Sequence, residues 1–314
     1  MDKVKLRKML GGMKSYFPKG SVILPTYGTD SARYCYTVWL RHLKFLKKNG
    51  ISRFPEIIAE LGPGDSIGTG LAGLIAGGKK YYALDVIERT NIERNINVFN
   101  ELCVLFNNKT NLPDDIEFPD MNPKLIDDVF PEEIIIKHQD GVFDRKIQNI
   151  KKEIKSEKGR EIIRYFCPWY DPKVIRNGIV DLVFSQAVLE HVDDLSRVYK
   201  AMYEWVKEDG MISHSIDFQS HGLSKEWNGH WSFSDLTWKI IRGNRPYLIN
   251  REPLSSHIQA MKNAGFKILD VVRITDYSKK KYSGSIKKEK LANRFKELSD
   301  EDFETTSAYI CAKK

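Results

Sequence analysis

Glu60-Leu61-Gly62-Pro63-Gly64 is followed, 21 residues beyond Gly64, by Asp85. This order of residue types suits a nucleoside. Glycines at a strand-to-helix turn let the backbone approach a ligand that a Cβ would block. An acid ending the next strand can accept both ribose hydroxyls of an adenosine. The same residues can also be read as an ordinary tight turn and a solvated strand-end acid. The sequence of turn, helix, strand and acid favours the nucleoside site. A dinucleotide fingerprint would place glycine where Ile67 stands. Gly73 to Lys79 comes near a phosphate-binding loop, but Lys80 replaces the hydroxyl residue and a strand follows instead of a helix. A ligand without phosphates fits the turn better.

A second group lies further along: His214, Asp217, His221, then Trp227-Asn228-Gly229-His230-Trp231. Three of the seven histidines fall within these 17 residues, at a sheet edge where open α/β folds bind ligands. His214, Asp217 and His221 are candidate general bases, which would be worth about 10²–10⁴-fold to a hydroxyl acceptor. The alternative is a set of polar loop residues with one satisfied core histidine. A metal site built from the three is disfavoured, because strand alternation sends His214 and Asp217 to opposite faces; no metal is expected. Trp227, His230 and Trp231 offer a platform for a sugar ring, or else a lid packed on the protein's own core. Arg251, in Asn250-Arg251-Glu252, could anchor a phosphate or carboxylate, or form a surface ion pair.

These groups need a frame. Ser31 or Asp30 can cap a helix bearing Tyr36, Trp39, Leu40, Leu43 and Leu46, with Gly50 to close it. Strands are predicted over 56–61, 81–85, 162–166, 179–184, 211–218, 266–274 and 306–312. Helices are predicted over 71–76, 92–106, 194–206 and from Pro253 to Gly265. Repeated strand-helix units imply an α/β, doubly wound, mostly parallel seven-stranded sheet with an antiparallel terminal strand and helices on both faces. Residues 1–55 read as a basic N-terminal segment and helix, the first 29 rich in turn residues (Gly11, Gly12, Pro18, Gly20, Pro25, Gly28). Residues 56–314 form the main domain. It carries an insertion at about 107–159, with a helix bearing Ile147, Ile150 and Ile154, and a basic, solvated insertion at about 278–300.

The 314-residue chain has 41% hydrophobic and 29% charged residues, a globular composition. No apolar run approaches the roughly 20 residues a bilayer span needs. The basic N-terminus lacks an export signal, so a cytoplasmic protein is expected. The four cysteines are scattered, giving neither a disulfide framework nor a zinc site. The net charge of +8 gathers near the N-terminus and over 279–290. Such runs are usually exposed faces, and no nucleic-acid-binding motif accompanies them.

The chain resembles the class I S-adenosylmethionine-dependent methyltransferases. Glu60, Gly62 and Gly64 match their first motif, with Ser66 where a third glycine is usual. Asp181-Leu182-Val183-Phe184-Ser185-Gln186-Ala187-Val188-Leu189-Glu190-His191-Val192 is similar to their fourth-strand motif. The resemblance implies S-adenosylmethionine as cofactor. It implies that Glu60 and the Gly62 and Gly64 backbone hold the methionine end, and that Asp85 binds the ribose. Ser185 and Gln186 would pass near the methionine amine or sulfonium, and Trp169 could stack on adenine. It leaves the acceptor open: a small molecule or a glycan, methylated on O or N. A nucleic-acid methyltransferase and a non-catalytic cofactor-binding module are the alternatives.

Overall fold

The computed structural model describes residues 3–17, 28–114, 116–136, 141–156, 160–245 and 247–314. In chain order these form α1 (Lys3–Lys14), α2 (Ala32–Lys48), β1 (Ile57–Leu61), α3 (Gly68–Ala76), β2 (Lys80–Leu84) and α4 (Ile92–Asn107). Then come α5 (Val142–Lys155), β3 (Ile163–Phe166), β4 (Val180–Gln186), α6 (Leu195–Trp205) and β5 (Val206–Asp217). The chain ends with α7 (Asp235–Arg242), α8 (Leu254–Ala264), β6 (Lys267–Ile274), α9 (Asp300–Glu304) and β7 (Ser307–Lys313).

The strands make one seven-stranded sheet in the order β3-β2-β1-β4-β5-β7-β6. β1 to β5 pair in parallel, and β7 runs antiparallel to both β5 and β6. Because side chains alternate along a strand, each strand feeds two cores. Ile58, Tyr81, Leu182, Phe184, Tyr309 and Cys311 face the layer containing Trp39 and Leu43 of α2, Leu71 and Leu74 of α3, and Phe99 of α4. Ala59, Leu84, Val183, Ile212 and Ile310 face Tyr199 and Met202 of α6 and Met261 of α8. The sequence reading of the fold holds in order, direction and layering.

Four local readings are corrected. Residues 3–14 form a helix, not a turn-rich lead-in. Gly12 lets it cross α7, where a Cβ would lie 1.9 Å from the Ile240 carbonyl oxygen. Pro18, Gly20 and Pro25 lie outside the described residues. Val206 belongs to β5, not to the preceding helix, and Asp209-Gly210 sit in an irregularity of that strand, not in a turn before it. The third correction concerns α3, which starts at Gly68, a turn earlier than Leu71.

The fourth correction is the basic stretch at 278–300. It is not merely solvated, because Ile286, Leu291 and Phe295 are buried in the second core. Backbone bonds from Trp227 N to Gly284 O (3.0 Å) and from Ala292 N to Trp231 O (3.0 Å) tie it over the loop after β5. The 107–159 insertion does contain a helix, α5, with Ile150 and Ile154 buried; its predicted end at Gly159 lies outside the described residues. Its first part is pinned to α2 by Arg33–Glu117 (2.7 Å), Lys44–Asp127 and Lys47–Glu133 (2.6 Å).

Gly70, inside α3, tests the packing beneath the glycine turn. Helix propensity alone favours alanine there by about 1 kcal/mol. A Cβ on Gly70, however, would lie 2.0 Å from Tyr81 Cζ. Tyr81 is fully buried and cannot swing aside. Overpacking should win, so Gly70→Ala is expected to destabilise by about 1–3 kcal/mol in urea denaturation.

Candidate functional site

β1 ends at the point where the sheet order reverses, with β2 on one side and β4 on the other, and the crevice beyond its carboxyl end is where such sheets take ligands. Gly62 and Gly64 turn the chain there with φ of +66° and +78°. A Cβ on Gly62 would come within 2.5 Å of Val188 Cγ2. The absent side chain therefore lets the loop after β4 rest on the loop after β1.

Glu60 is buried below this turn, with its Oε2 accepting from the Tyr81 hydroxyl at 2.5 Å. Burial pushes its carboxyl up to about 8, against the pull of donors from Tyr81, Thr69 and the Gly70 N–H. Asp85 accepts from Gly64 N (3.3 Å), Val86 N (2.7 Å) and Ile87 N (3.3 Å), and burial still raises its pKa. Two cationic side chains reach Asp65 just after the turn: Arg89 pairs with its carboxylate at 3.0 Å, and Arg94 donates to its backbone oxygen at 2.9 Å. Two acidic side chains beside a glycine turn, one of them held back from ionising until a cation arrives, suit a cationic amino acid joined to a ribose better than a pyrophosphate.

Ser66 explains the missing third glycine. Its hydroxyl donates to Thr29 O and accepts from Gly68 N at 3.0 Å, while Thr29 Oγ1 accepts from Asp65 N (2.8 Å) and Ser66 N (3.2 Å). The N-terminal segment is thus stitched to the turn.

The remaining predicted residues divide. Ser185 Oγ is bonded to His214 Nδ1 at 2.8 Å, both fully buried. Gln186 is half-buried and precedes Ala187, which has φ +53°. Trp169 packs edge-on against Trp205, ring centroids 5.4 Å apart, and its backbone N–H donates to Asp85 O at 3.0 Å. It lies beside the candidate ribose site, with its ring turned to the second core.

His214 and Asp217 do point to opposite faces, as regular pairing of β5 with β7 requires. His214 is buried against Tyr199, and burial lowers its pKa well below the usual value, so it is a neutral core histidine and not a base in contact with solvent. Among the described residues no group of histidine, cysteine and acidic side chains could hold a metal.

Asp217 and His221 come together instead. His221 Nε2 lies 3.3 Å from Asp217 Oδ2, and the two side chains are 30% and 32% exposed, open enough to meet an acceptor. Burial alone would lower the His221 pKa, but Asp217 outweighs it and the net shift is upward. For Asp217 burial pushes up, while His221 and the Gln219 N–H bring the net shift down. His191 stacks edge-on to His221 at 5.2 Å, and burial takes it down to about 4.

Trp227, His230, Trp231 and Arg251 lie in the core. Trp231 is fully buried and donates to Arg251 O at 3.0 Å, while Trp227 packs on Trp231 and Tyr277. Arg251 is 3% exposed, donates to Phe233 O (2.8 Å), pairs with Asp235 (2.9 Å) and covers Trp238 (4.5 Å). His230 is 1% exposed and lies 4.8 Å from Trp231. The sugar platform and the anion anchor are corrected: these rings and this guanidinium are used up holding the lid.

Sequence reasoning missed Tyr81, Thr29, Tyr34 and the isolation of Glu190. The Tyr34 phenol lies in the field of both Glu60 and Glu190, and burial carries it up to about 12. Among the described residues, Ala187, His221 and Tyr247 in the loops around this rim, and Arg251 packed behind them, have positive φ without being glycine. Such backbone is costly and collects at working sites.

Residues 148–213, from α5 into β5, match the family model described as "Methyltransferase domain". No curated protein matches the chain. Similar solved structures include an S-adenosylmethionine-dependent methyltransferase from Mesorhizobium loti (11% identity, 86% of this chain and 96% of that one, TM-score 0.42). Another is Haemonchus contortus phosphoethanolamine N-methyltransferase 2 in complex with S-adenosyl-L-methionine (15% identity, 95% and 61%, TM-score 0.43). A third is geranyl diphosphate C-methyltransferase from Streptomyces coelicolor A3(2) (11% identity, 87% and 78%, TM-score 0.44). Likenesses this remote carry nothing about the acceptor. The chain thus joins a stretch that matches a methyltransferase domain to a Rossmann-like sheet order, a glycine turn and a pair of strand-end acids, and is similar to S-adenosylmethionine-dependent methyltransferases.

Proposed function

We propose that this enzyme methylates a hydroxyl or amine of a small-molecule or glycan-linked acceptor, with His221 as general base and Asp217 holding its ring. The Asp217–His221 pair carries this reading. It is a partly open imidazole, 3.3 Å from a carboxylate, at the carboxyl end of the strand next to β4. A carboxylate on Nε2 fixes the tautomer and leaves Nδ1 to take a proton. Glu60, Gly62, Gly64 and Asp85 hold the cofactor, with Tyr81 positioning Glu60. Bound S-adenosylmethionine supplies a methyl group already activated on a sulfonium, so alignment and removal of the acceptor's proton are what the protein adds.

A labelled-methyl screen against sugars, nucleotide sugars, amines and lipids tests the acceptor class. His221→Gln should lower kcat by about 10²-fold or more, while calorimetry with S-adenosylhomocysteine gives an unchanged Kd. Unaltered turnover in that variant removes His221 as base.

The raised His221 pKa sets a sign for pH. The base works unprotonated, so kcat/KM should rise with pH through a value above 6.5. In Asp217→Asn the main upward pull is lost, burial and Lys281 are opposed by Glu190 alone, and the rising limb should move to lower pH as its plateau drops.

Cofactor affinity is predicted separately. Asp85→Ala should weaken S-adenosylhomocysteine binding by at least tenfold. Tyr81→Phe, which deprives the Glu60 carboxylate of one donor, should weaken it by about tenfold. Calorimetry that shows both variants binding like the parent would exclude these roles.

A further inference from the structure

Glu190 is only 3% exposed, neither carboxyl oxygen meets a side-chain donor, and only the backbone N–H groups of Glu190 itself and of Asp217 draw on it. A carboxyl so placed is costly to ionise unless a cation answers it. The backbone around it is firmly held: Asn250 N donates to Glu190 O at 2.6 Å, and Asn250 Nδ2 donates to Leu189 O and Val192 O at 2.8 Å. The side chain therefore belongs where it is, next to the turn on which Val188 meets Gly62.

The groups facing it come from every neighbouring element. Asp217 and His221, from the end of β5 and its loop, act on it directly. Tyr34 of α2 and Tyr199 of α6 lie in its field. His191 and His230 are kept neutral by burial. Lys281, whose charge reaches His221, is ion-paired with Asp120 at 2.9 Å. Burial pushes the Glu190 carboxyl up to about 8, so it keeps its proton until a cation comes beside it, and among these groups the one cation acting on it, His221, is already paired with Asp217.

We propose that the acceptor is an amine and that Glu190 is the counter-ion of the nitrogen that receives the methyl group. This rests on the Asp217–His221 reading of the acceptor side. His221 takes a proton from the bound ammonium and restores the nitrogen lone pair. The lone pair forms the N–CH3 bond as the S–CH3 bond breaks. The bonding electrons stay on sulfur, and the formal positive charge passes to nitrogen. Glu190 stabilises that arriving charge where water is excluded. A hydroxyl acceptor would surrender its proton to the base, end neutral, and leave Glu190 unanswered.

The test uses matched probes, ethanolamine against ethylene glycol and glucosamine against glucose, on protein saturated with S-adenosylhomocysteine. Calorimetry reads binding, and mass spectrometry of reactions with S-adenosylmethionine reads transfer. The amine of at least one pair should bind at least tenfold tighter than its hydroxyl partner and be the one methylated. Glu190→Gln should lower amine affinity by about 10–100-fold while S-adenosylhomocysteine affinity stays within twofold. Glu190→Asp, which keeps the charge, should retain part of the preference. Equal binding of both members, a preference untouched by Glu190→Gln, or no binding of any amine overturns the proposal. Transfer that survives His221→Gln but falls with Glu190→Gln sinks the dyad and upholds the amine. Wild-type protein that fails to bind S-adenosylhomocysteine overturns both.

Discussion

Two loops touch because Gly62 has no side chain. A Cβ there would come within 2.5 Å of Val188 Cγ2, so the turn after β1 and the turn after β4 can be neighbours only with glycine at this position. The same loop carries the left-handed Ala187 and the short turn Leu189–His191, which Asn250 holds.

Below it, the sheet carries an unusual polar load. Glu60 is answered by Tyr81, and Ser213 lies between His42 Nδ1 (2.5 Å) and Tyr309 OH (2.7 Å). His257 meets Tyr199 at 3.0 Å. Burial drives His42 and His257 down to about 3, so both stay neutral and act as hydrogen-bonding struts. Glu190 stands apart from this pairing, because neither of its oxygens meets a side-chain donor.

Much of the frame was legible because its signals are local. Ser31 accepts from Tyr34 N as a helix cap should, Gly265 closes α8 with φ +110°, and period-two apolar runs became the strands. The glycine turn and its two acids were readable for the same reason. What escaped depends on distant partners. No local pattern says that Trp231 will be enclosed by a segment sixty residues later, through Ala292 N and Phe295. His214 and His221 look alike in sequence; one faces α6 inside the sheet and the other stands on the rim. Glu190 was visible as a letter in a motif, but its lack of a partner exists only once α2, α6 and the loop after β5 have closed around it.

The sheet order also constrains how the molecule assembles. β7 lies between β5 and β6, so β6 has no sheet partner until the chain has travelled through 275–306 and come back. During that interval Lys267–Ile274 is an orphan strand, the kind of segment that recruits other chains. Lys267, Asp270 and Arg273 interrupt its apolar character, and Asp270 falls at a register shift against β7. Charges and an irregular ladder guard the waiting edge, and the last strand to arrive turns it into part of a finished sheet.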